Sequence, residues 1–496
     1  MNSIIHNDLK SITWKRILAV ITSAILAVVF CTSCEDNTTT KEHTGIPAEY
    51  EDALFEKGKL NDIQISMDNW DAFVQKTFET VIDGSVEQQL KEKVYDSCNV
   101  VINGEEMKNT GIRTKGSYSL STAINAGSDR FSLVLKFNEF DKQKYHGLRM
   151  IDLNSNIMDA TSMKDAVTYD MCRFIGLPAP LCNYAKITVN GEYYGCYLAV
   201  EPVGKDFCKR NFGEDYGSLY KPLHSLNYEG FWSKNYKYIK DTVKIERSPF
   251  SNVKAALKSV HEKKDIESHV DVDAVLKYMA IQTMVVNIDG LTGDTTHNFY
   301  LYESDGRISL LPWDYDLAFG GQMSYKEKMF KQRFQDIDHG TFNKEEWLKE
   351  KEKAYHEEIR QIINLPIDTP FLADLSEREF FMNLLDNEEY RNQYHEYLSV
   401  LAEQYVRGGE LDKTISTYTA EIQDIVGTEE NAHYKADDFV TALEQLKLFL
   451  QKKSESVIGQ LNGSIPSDRK GQSDSPEKLI DTSDLDVRLM GEEWGS

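Results

Sequence analysis

Residues 287–321 read NIDGLTGDTTHNFYLYESDGRISLLPWDYDLAFGG, and the interpretation of the chain depends on this stretch. Four polar residues follow one another in it: Asp289, Asn298, Asp314 and Asp316. A phosphoryl-transfer site needs hard oxygen ligands for Mg²⁺ and a carboxylate that receives a proton from a hydroxyl group. These four residues could supply both the base and the ligands, with Asp289 as the base and the other three residues as metal ligands.

Each of these residues also has a plain structural interpretation. Asp289 can cap the turn before Gly290, and Asp314 and Asp316 can lie at a strand end. For any single residue the structural interpretation is favoured. The phosphoryl-transfer interpretation depends on the complete set.

Around this stretch, apolar residues recur at the 3.6-residue period of helices. Val272, Leu276, Met279 and Thr283 fall on one helix face. Two later stripes continue the pattern, namely Tyr390, Tyr394, Tyr397, Leu401 and Tyr405, and then Phe439, Leu443, Leu446, Leu450, Val457 and Leu461. Residues 222–463 are therefore predicted to be helical, with a charged surface insertion at 322–365.

Residues 59–221 carry strand signals instead. Asn103-Gly104 and Asn190-Gly191 each follow a β-type run, and Asn-Gly is the strongest short-range hairpin signal. One helix interrupts the strands and is stopped by Gly176. Since single cores stop growing near ~250–300 residues, the predicted fold class is α+β with two lobes, a β-rich N-lobe and a helical C-lobe.

The Asn190-Gly191 turn also predicts how two cysteines are placed. A two-residue turn puts Cys196 opposite Ala185, and Cys182 then lies on the other face of the hairpin. The sequence therefore predicts no disulfide between Cys182 and Cys196.

The ends of the chain are predicted to lie outside the folded part. Basic residues precede an apolar run from Ile17 to Phe30, which indicates a signal peptide over residues 1–33. Cys34 resembles a bacterial lipoprotein acceptor, with simple cleavage of the signal as the alternative. Residues 34–58 are predicted to be a flexible tether and residues 464–496 a disordered polar tail.

Composition excludes some classes of function. The 496 residues carry a formal net charge of −24, which argues against nucleic-acid binding because that needs clustered Lys and Arg. The same charge disfavours docking onto anionic lipid, so membrane attachment would depend on the lipid anchor.

The motifs at His297–Tyr302 and Pro312–Gly320 resemble the signature of CotH-type (spore coat protein H) kinases. Further segments resemble motifs of that family in family order, namely 111–117, 189–201 and 217–221, so the resemblance covers roughly residues 60 to 465. It implies an atypical protein-kinase-like fold that uses ATP and Mg²⁺. It also implies Ser/Thr hydroxyls of secreted or surface proteins as acceptors.

The kinase plan suggests which residues contact the nucleotide. Lys136, at the end of an apolar run, resembles the strand lysine that holds phosphates, with a surface lysine as the alternative. Arg113 and Lys115 occupy a Gly-bounded turn where they could reach phosphate oxygens, or they could lie on a solvated hairpin tip. Glu201 could enter the interlobe hinge or pair with Lys136, and Lys221 could bind phosphate or a carboxylate.

Two classes of function therefore compete. One is a protein kinase, and the other is a surface adhesion or assembly lipoprotein that keeps a kinase-like fold without catalysis. The set of Asp289, Asn298 and Asp314 favours the kinase, because a binding module has no need for it. A glycoside hydrolase has no pattern of its own in the chain.

Overall fold

The computed structural model describes residues 45–491, except for 83–91, 224, 229–233, 294–295, 324–328, 330–332, 334–335, 338, 373–377 and 431. The predicted signal peptide and the lipidation residue Cys34 lie outside the described residues.

Seven strands close into a barrel in the order β1-β2-β3-β4-β5-β7-β6. Their bounds are β1 Asn61–Ser66, β2 Asp96–Ile102, β3 Glu105–Thr114, β4 Leu133–Lys136, β5 Met150–Asn154, β6 Cys182–Val189 and β7 Glu192–Val200. All neighbours are antiparallel except β1 and β6, which close the barrel in parallel. Alternate residues such as Ile112, Leu133 and Leu153 fill the interior, because successive side chains of a strand point to opposite faces.

The outer face of the barrel carries the residues that matter for the site. In register, Arg113 lies opposite Val134, and Val134 lies opposite Asp152. Asn154 is two residues further along β5 and shares the face of Asp152.

The hairpin of β6 and β7 has the predicted turn but not the predicted register. A β-bulge follows the turn, so Cys196 lies opposite Lys186 and not opposite Ala185. The predicted opposite faces are therefore wrong, since Cys182 and Cys196 both face the core outside the barrel. They are free thiols, and the four-residue offset between Lys186 and Cys182 separates them by about 13 Å along the strand.

A second sheet of four antiparallel strands has the order β11-β10-β8-β9. Its strands are β8 Ser218–Tyr220, β9 Val243–Ile245, β10 Phe299–Ser304 and β11 Arg307–Pro312. The β10–β11 hairpin therefore lies between two parts of the predicted site, with Asn298 just before it and Asp314 just after it.

The described helices cluster in the second half of the chain. Those before residue 250 are α1 Glu49–Leu54, α2 Trp70–Ile82, α3 Tyr118–Asn125, α4 Lys164–Phe174, α5 Lys205–Phe212 and α6 Lys234–Asp241. Those after it are α7 Ser251–Glu262, α8 Val272–Val285, α9 Lys344–Ile363, α10 Glu379–Leu385, α11 Glu388–Ser399, α12 Glu410–Ile422, α13 Ala436–Leu461 and α14 Arg469–Asp474. A π-helical turn, Val400–Val406, continues α11.

Helix α8 is the centre of the helical part. Asp271 caps its N-terminus by accepting a hydrogen bond from the backbone N–H of Ala274 at 3.1 Å. Its apolar residues are buried on nearly every side, as expected of a helix packed between other layers. The helix contacts α4, α11 and β11, and it ends where the loop carrying Asp289 begins.

Both predicted loose ends are folded where the structure describes them. Within the predicted tether, α1 buries Tyr50 and Leu54 against the barrel core. Within the predicted tail, Leu485, Val487 and Met490 join the large helical core. The predictions of a flexible tether and a disordered tail are therefore wrong for residues 45–58 and 464–491.

The described residues form a mixed α+β fold with a sheet-rich part and a helical part, in agreement with the predicted class. The described residues group into one compact unit, so a division into two lobes stays a prediction. Among the described residues, no helix has the length and the apolar character needed to cross a membrane.

Candidate active site

The loop after α8 and the start of β10 bring Asp289, Asn298 and His297 together. Asn298 donates a hydrogen bond from Nδ2 to Asp289 Oδ2 at 2.7 Å, and His297 Nε2 lies 3.4 Å from Asp289 Oδ1. Asn298 adopts a left-handed backbone with φ of +57°, which Asn tolerates better than most residues. Burial lowers the pKa of His297, which favours the neutral imidazole beside the Asp289 carboxylate.

The segment after β11 presents two further carboxylates. Asp314 has a φ of +64°, and its backbone N–H donates to the Tyr169 hydroxyl at 3.1 Å. Asn287 Nδ2 reaches the Asp314 carbonyl at 3.5 Å, so the two loops are tied to each other. Residues held in this backbone region cost free energy and cluster at functional sites.

Asp165, in the first turn of α4, completes a carboxylate cluster with Asp314 and Asp316. Its Oδ1 accepts from the Tyr315 backbone N–H at 2.7 Å. Burial, reinforced by the charge of Asp314, raises the pKa of Asp165 to about 7. Burial and the charges of Asp314 and Asp165 also raise the pKa of Asp316 well above its usual range. Full ionisation of the cluster is therefore unfavourable in the protein alone, and a bound cation would favour it.

Two lysines lie over the ring of Trp313, the residue before Asp314. Lys115 Nζ and Lys221 Nζ are each 5.4 Å from the Trp313 ring centroid. Lys221 is also 5.5 Å from the centroid of Tyr300, which meets Trp313 edge-on. Cations over aromatic faces are stabilised by the ring quadrupole, so these rings help to keep two like charges close together.

Lys115 is held by the outer face of β5. Its Nζ donates to Asn154 Oδ1 at 2.7 Å and lies 3.0 Å from Asp152 Oδ2. Burial lowers the pKa of Lys115, but the charges of Asp152 and Asp314 outweigh it and raise the pKa above its ordinary value. Lys115 therefore stays protonated at neutral pH, held against β5 beside the carboxylate cluster.

Lys221 is less favoured as a cation. Burial lowers its pKa to about 8, although the charge of Asp314 opposes this effect, and the nearby charge of Lys115 lowers the pKa further. An anion placed between the two lysines would relieve their repulsion.

The donor set fits a divalent cation bound together with phosphate. In the described part of the chain, no group of three or more His, Cys, Asp or Glu side chains encloses a metal site by itself. Mg²⁺ seldom needs such an enclosure, since it is usually held by one or two carboxylates together with waters and substrate phosphates. Asp314 and Asp316 would form such a pair of carboxylates.

Some predicted site residues lie elsewhere. Lys136 forms an ion pair with Glu139 and lies 5.2 Å from the centroid of the Tyr95 ring, which Arg113 also approaches at 5.4 Å. Lys136 is at the far end of β4 from the position beside Lys115, so the structure places Lys115 and not Lys136 against the carboxylates. Arg113 shares the outer face but donates to the Thr114 carbonyl at 2.8 Å.

The Glu201 side chain does not pair with Lys136, so that alternative is wrong, whereas a backbone role in the interlobe hinge stays a prediction. The Glu201 side chain is fully buried and receives two hydrogen bonds from Arg210, at 3.1 and 2.6 Å. It also accepts from the Tyr50 hydroxyl at 2.6 Å and from the Leu181 N–H at 3.2 Å. Its carboxylate is fully engaged in joining α1 and α5 to the barrel, and its partner is Arg210, not Lys136.

Sequence reasoning missed Asp152 and Asn154, which position Lys115. The signal available was the alternation in Met150–Asn154, where polar residues at 152 and 154 interrupt buried Ile151 and Leu153. A cavity of about 430 Å³ lies elsewhere, between α9 and the C-terminal segment, so the candidate site is recognised by its charges and not by cavity size.

Comparison with known proteins agrees with the motifs. The family model described as CotH kinase protein matches residues 112–457. The chain therefore belongs to the CotH kinase protein family. Within this family, Inner spore coat protein H of Bacillus subtilis (strain 168) is 24% identical over 277 residues, which cover 48% of this chain and 73% of that protein.

A partial likeness to a solved structure adds little to the CotH assignment. A chain of the Shewanella oneidensis MR-1 toxin–antitoxin complex of HipA, HipB and operator DNA aligns with 64% of this chain at 13% identity. The match spans about 61% of that chain's length with a TM-score of 0.32, and no function follows from it.

Proposed function

We propose that the protein is a kinase that transfers the γ-phosphoryl group of ATP, bound with Mg²⁺, to Ser or Thr hydroxyls of secreted or surface proteins. The observation that supports this proposal is the grouping around Asp314. The next residue, Tyr315, bonds Asp165 through its N–H, and the preceding residue, Trp313, lies under Lys115 and Lys221. The charge of Asp314 raises the pKa of Asp165 and Asp316 and favours the charged forms of both lysines. Membership in the CotH kinase protein family also supports the proposal.

The carboxylates and the amide have separate roles in this proposal. Asp314, Asp316 and Asn298 would hold the metal, which on binding offsets the charge of the phosphate oxygens. Asn298 uses Nδ2 to bond Asp289, so its amide oxygen is the atom it offers to a metal. Asp289 would orient the acceptor hydroxyl and receive its proton, since its carboxylate is fixed by Asn298 and His297.

The lysines would bind the transferred phosphate. Lys115 is rigidly placed by Asp152 and Asn154, so little side-chain entropy is lost when it contacts phosphate oxygens. Lys221, whose pKa is about 8, would become a full cation when an anion lies beside it. Together they offset negative charge that develops during transfer.

We further infer that the protein is exported and attached to a membrane by lipid at Cys34. The apolar run at Ile17–Phe30 and the small residues before Cys34 support this inference. Metabolic labelling with a radioactive fatty acid in the parent and in Cys34→Ala tests it. Label in the parent alone supports lipidation at Cys34, and no label in either sinks it.

The kinase proposal is tested by incubating the purified protein with ATP and Mg²⁺ and measuring its intact mass. A mass increase of one phosphoryl group, abolished by EDTA and mapped to Ser or Thr, is expected. A gain of one nucleotidyl group would indicate a different transfer reaction. No modification of the protein or of added acceptor proteins, together with no MgATP binding, would favour the non-catalytic adhesion or assembly protein.

A further inference from the structure

Residues 479–491, called the strap below, lie beyond the part of the chain that the family model matches. Three apolar residues of the strap are almost fully buried: Leu485 is 2% exposed, Val487 1% and Met490 0%. These three side chains of the strap are therefore part of the protein core.

The strap is attached on one side to α9, which belongs to the charged insertion. Tyr355 donates from its hydroxyl to Asp486 Oδ1 at 2.7 Å and accepts from the Val487 N–H at 3.0 Å. The Arg488 guanidinium lies 4.0 Å from the Tyr355 ring centroid and pairs with Glu352 at 3.0 Å. Helix α13 supplies the rest of the docking surface, since the turn at 487–490 packs against it and the Asp486 N–H donates to Gln445 Oε1 at 2.8 Å.

On the other side, the strap reaches the carboxylate cluster through Lys164. This lysine is 0% exposed, and its Nζ donates to the backbone carbonyls of Asp316 at 3.0 Å and Gly491 at 3.1 Å. The Ala160 N–H donates to the Met490 carbonyl at 3.1 Å. One ammonium group therefore connects the end of the strap to the backbone of a predicted metal ligand.

A second contact joins the strap to the same loop. Gly320 has a φ of +80°, and a Cβ atom added to it would lie 3.1 Å from Val487 Cγ2. The loop is anchored on its other side by the Phe319 N–H, which donates to the Val285 carbonyl at 2.8 Å. Val487 therefore packs against the loop of Asp314 and Asp316 where the chain turns at Gly320.

A buried ammonium is stable only when its hydrogen bonds are made, because desolvating the charge costs several kcal/mol. If the strap undocks, Lys164 loses the Gly491 carbonyl, and water enters where Val487 and Met490 were. Lys164 can then turn toward water and release the Asp316 carbonyl.

We propose that the strap is a positioning element of the active site, which fixes the loop of Asp314 and Asp316 through Lys164 and Val487. Metal–nucleotide binding and phosphoryl transfer then depend on the docked strap. The kinetic part of this inference rests on the proposed kinase function, whereas the structural part does not.

The structural part is tested by hydrogen exchange of the full chain in two matched variants. Val487→Asp places a charge at a buried position, and Leu489→Asp places the same charge at a position that is 45% exposed on the same turn. The backbone N–H groups of Tyr315 and Phe319, both bonded in the parent, should exchange faster in Val487→Asp and at the parental rate in Leu489→Asp. Val487→Ala gives a milder version in case the Asp variant does not fold.

Lys164→Met tests the connection itself. It should speed exchange at Tyr315 and Phe319 while α9 keeps its protection, and Lys164→Arg should restore part of the parental protection. Exchange that rises only within the strap in all of these variants would overturn the proposal.

The kinetic readout is the Mg²⁺ concentration that gives half-maximal transfer. Since small misplacements of catalytic groups cost up to about 100-fold, Val487→Asp should raise this concentration or lower kcat by up to about that factor. The KM for the protein acceptor should not change, because the strap contacts described above lie at Lys164, Asp316 and Gly320 and not at Asp289. If Val487→Asp shows faster loop exchange but the parental Mg²⁺ dependence, the positioning role of the strap is overturned. If the parent protein transfers no phosphate while loop exchange changes as expected, the kinase function is contradicted and the positioning role is not.

Discussion

Lys115 and Lys136 both lie on the outer face of the barrel, but only Lys115 faces the carboxylates. Ile112 points into the barrel, so Arg113 and Lys115 point out, and Val134 and Lys136 share that outer face. Lys136 lies beside Gly111, at the far end of this face from Lys115. Position along the strand, and not strand parity, separates the two lysines.

Lys115→Met should weaken MgATP binding by about 10- to 100-fold, because a charge-assisted hydrogen bond contributes roughly 1.5–3 kcal/mol. Lys136→Met is the matched control and should bind as the parent does. Isothermal titration calorimetry with MgATP measures both.

Lys115→Met also leaves buried Asp152 without its ion pair, which destabilises the fold. The double variant Lys115→Met/Asp152→Asn removes that unbalanced charge and should recover stability without recovering nucleotide binding. Recovery of MgATP affinity in the double variant would show that Lys115 acts only through the fold.

Asp289→Asn should keep MgATP affinity and lower kcat by ~10²–10⁴-fold, the usual contribution of general-base assistance. The reason is that Asn keeps the hydrogen-bonding shape beside Asn298 but cannot take the acceptor proton. Transfer rates at saturating MgATP, beside a calorimetric titration, separate the two effects. A fall in affinity with kcat unchanged would instead make Asp289 a metal ligand.

At the residue scale, the structure brings together the residues of the predicted motif, while their catalytic roles stay predictions. Asp289 and Asn298 are bonded to each other, and Asp314 lies with Asp316, Lys115 and Lys221. Glu201 could not be assigned from sequence, because its partners Tyr50 and Arg210 are far from the motif and one of them lies in a segment that resembles a linker.

At the scale of elements, the C-terminus of α9 is closed by a buried lysine of α13. Lys453 is 0% exposed and donates from Nζ to the carbonyls of Ile362 at 3.1 Å and Ile363 at 3.3 Å. Such carbonyls have no partner within the helix, so a donor from a neighbouring element satisfies them.

Burial lowers the pKa of Lys453 to about 7. The unfolded chain, with an ordinary lysine pKa near ~10.4, then binds more protons than the folded chain between these two values. The contribution of Lys453 to the free energy of unfolding should therefore rise with pH from about 7 to about 10, by up to about 1.4 kcal/mol per pH unit, and fall as pH drops.

Urea denaturation at several pH values between 7 and 9 measures this slope in the parent and in Lys453→Met. The difference between the two should change with pH, whereas Lys447→Met, at a more exposed lysine of the same helix, should run parallel to the parent. Parallel curves for all three proteins would show that Lys453 is charged in the folded state.

Element positions were predicted better than element registers. The Asn190-Gly191 turn predicted the pairing of β6 with β7 only as far as the β-bulge. Beyond the bulge, each residue of β6 lies opposite a residue of β7 one position later than predicted. At Gly195 an added Cβ would lie 3.0 Å from Arg130 Nε, so the bulge depends on a side chain of a distant segment. Such a contact leaves no local pattern in the sequence.

At the scale of the whole molecule, both ends of the described chain close onto the structure that bears the site. Tyr50 near the start bonds Glu201, and Gly491 near the end bonds Lys164. These segments are mostly polar, and their few buried side chains are too widely spaced to show a helix or strand period. Composition therefore predicted disorder where tertiary contacts impose order.

In the proposed kinase, the Asp314 carboxylate belongs to a metal-dependent phosphoryl-transfer site. This role is tested by measuring transfer from γ-labelled ATP in the presence of Mg²⁺, in the parent, in Asp314→Asn and in Asp305→Asn. Asp305 lies exposed at the tip of the β10–β11 hairpin, so its replacement makes the same chemical change close by in the chain without touching the cluster. We expect parental transfer by Asp305→Asn and at least ~100-fold less transfer by Asp314→Asn. Asp314 would hold the metal that stabilises the transition state, and removing one stabilising group from an active site typically costs ~10²–10³ in kcat. Equal transfer by all three proteins would show that Asp314 has no part in metal-dependent phosphoryl transfer.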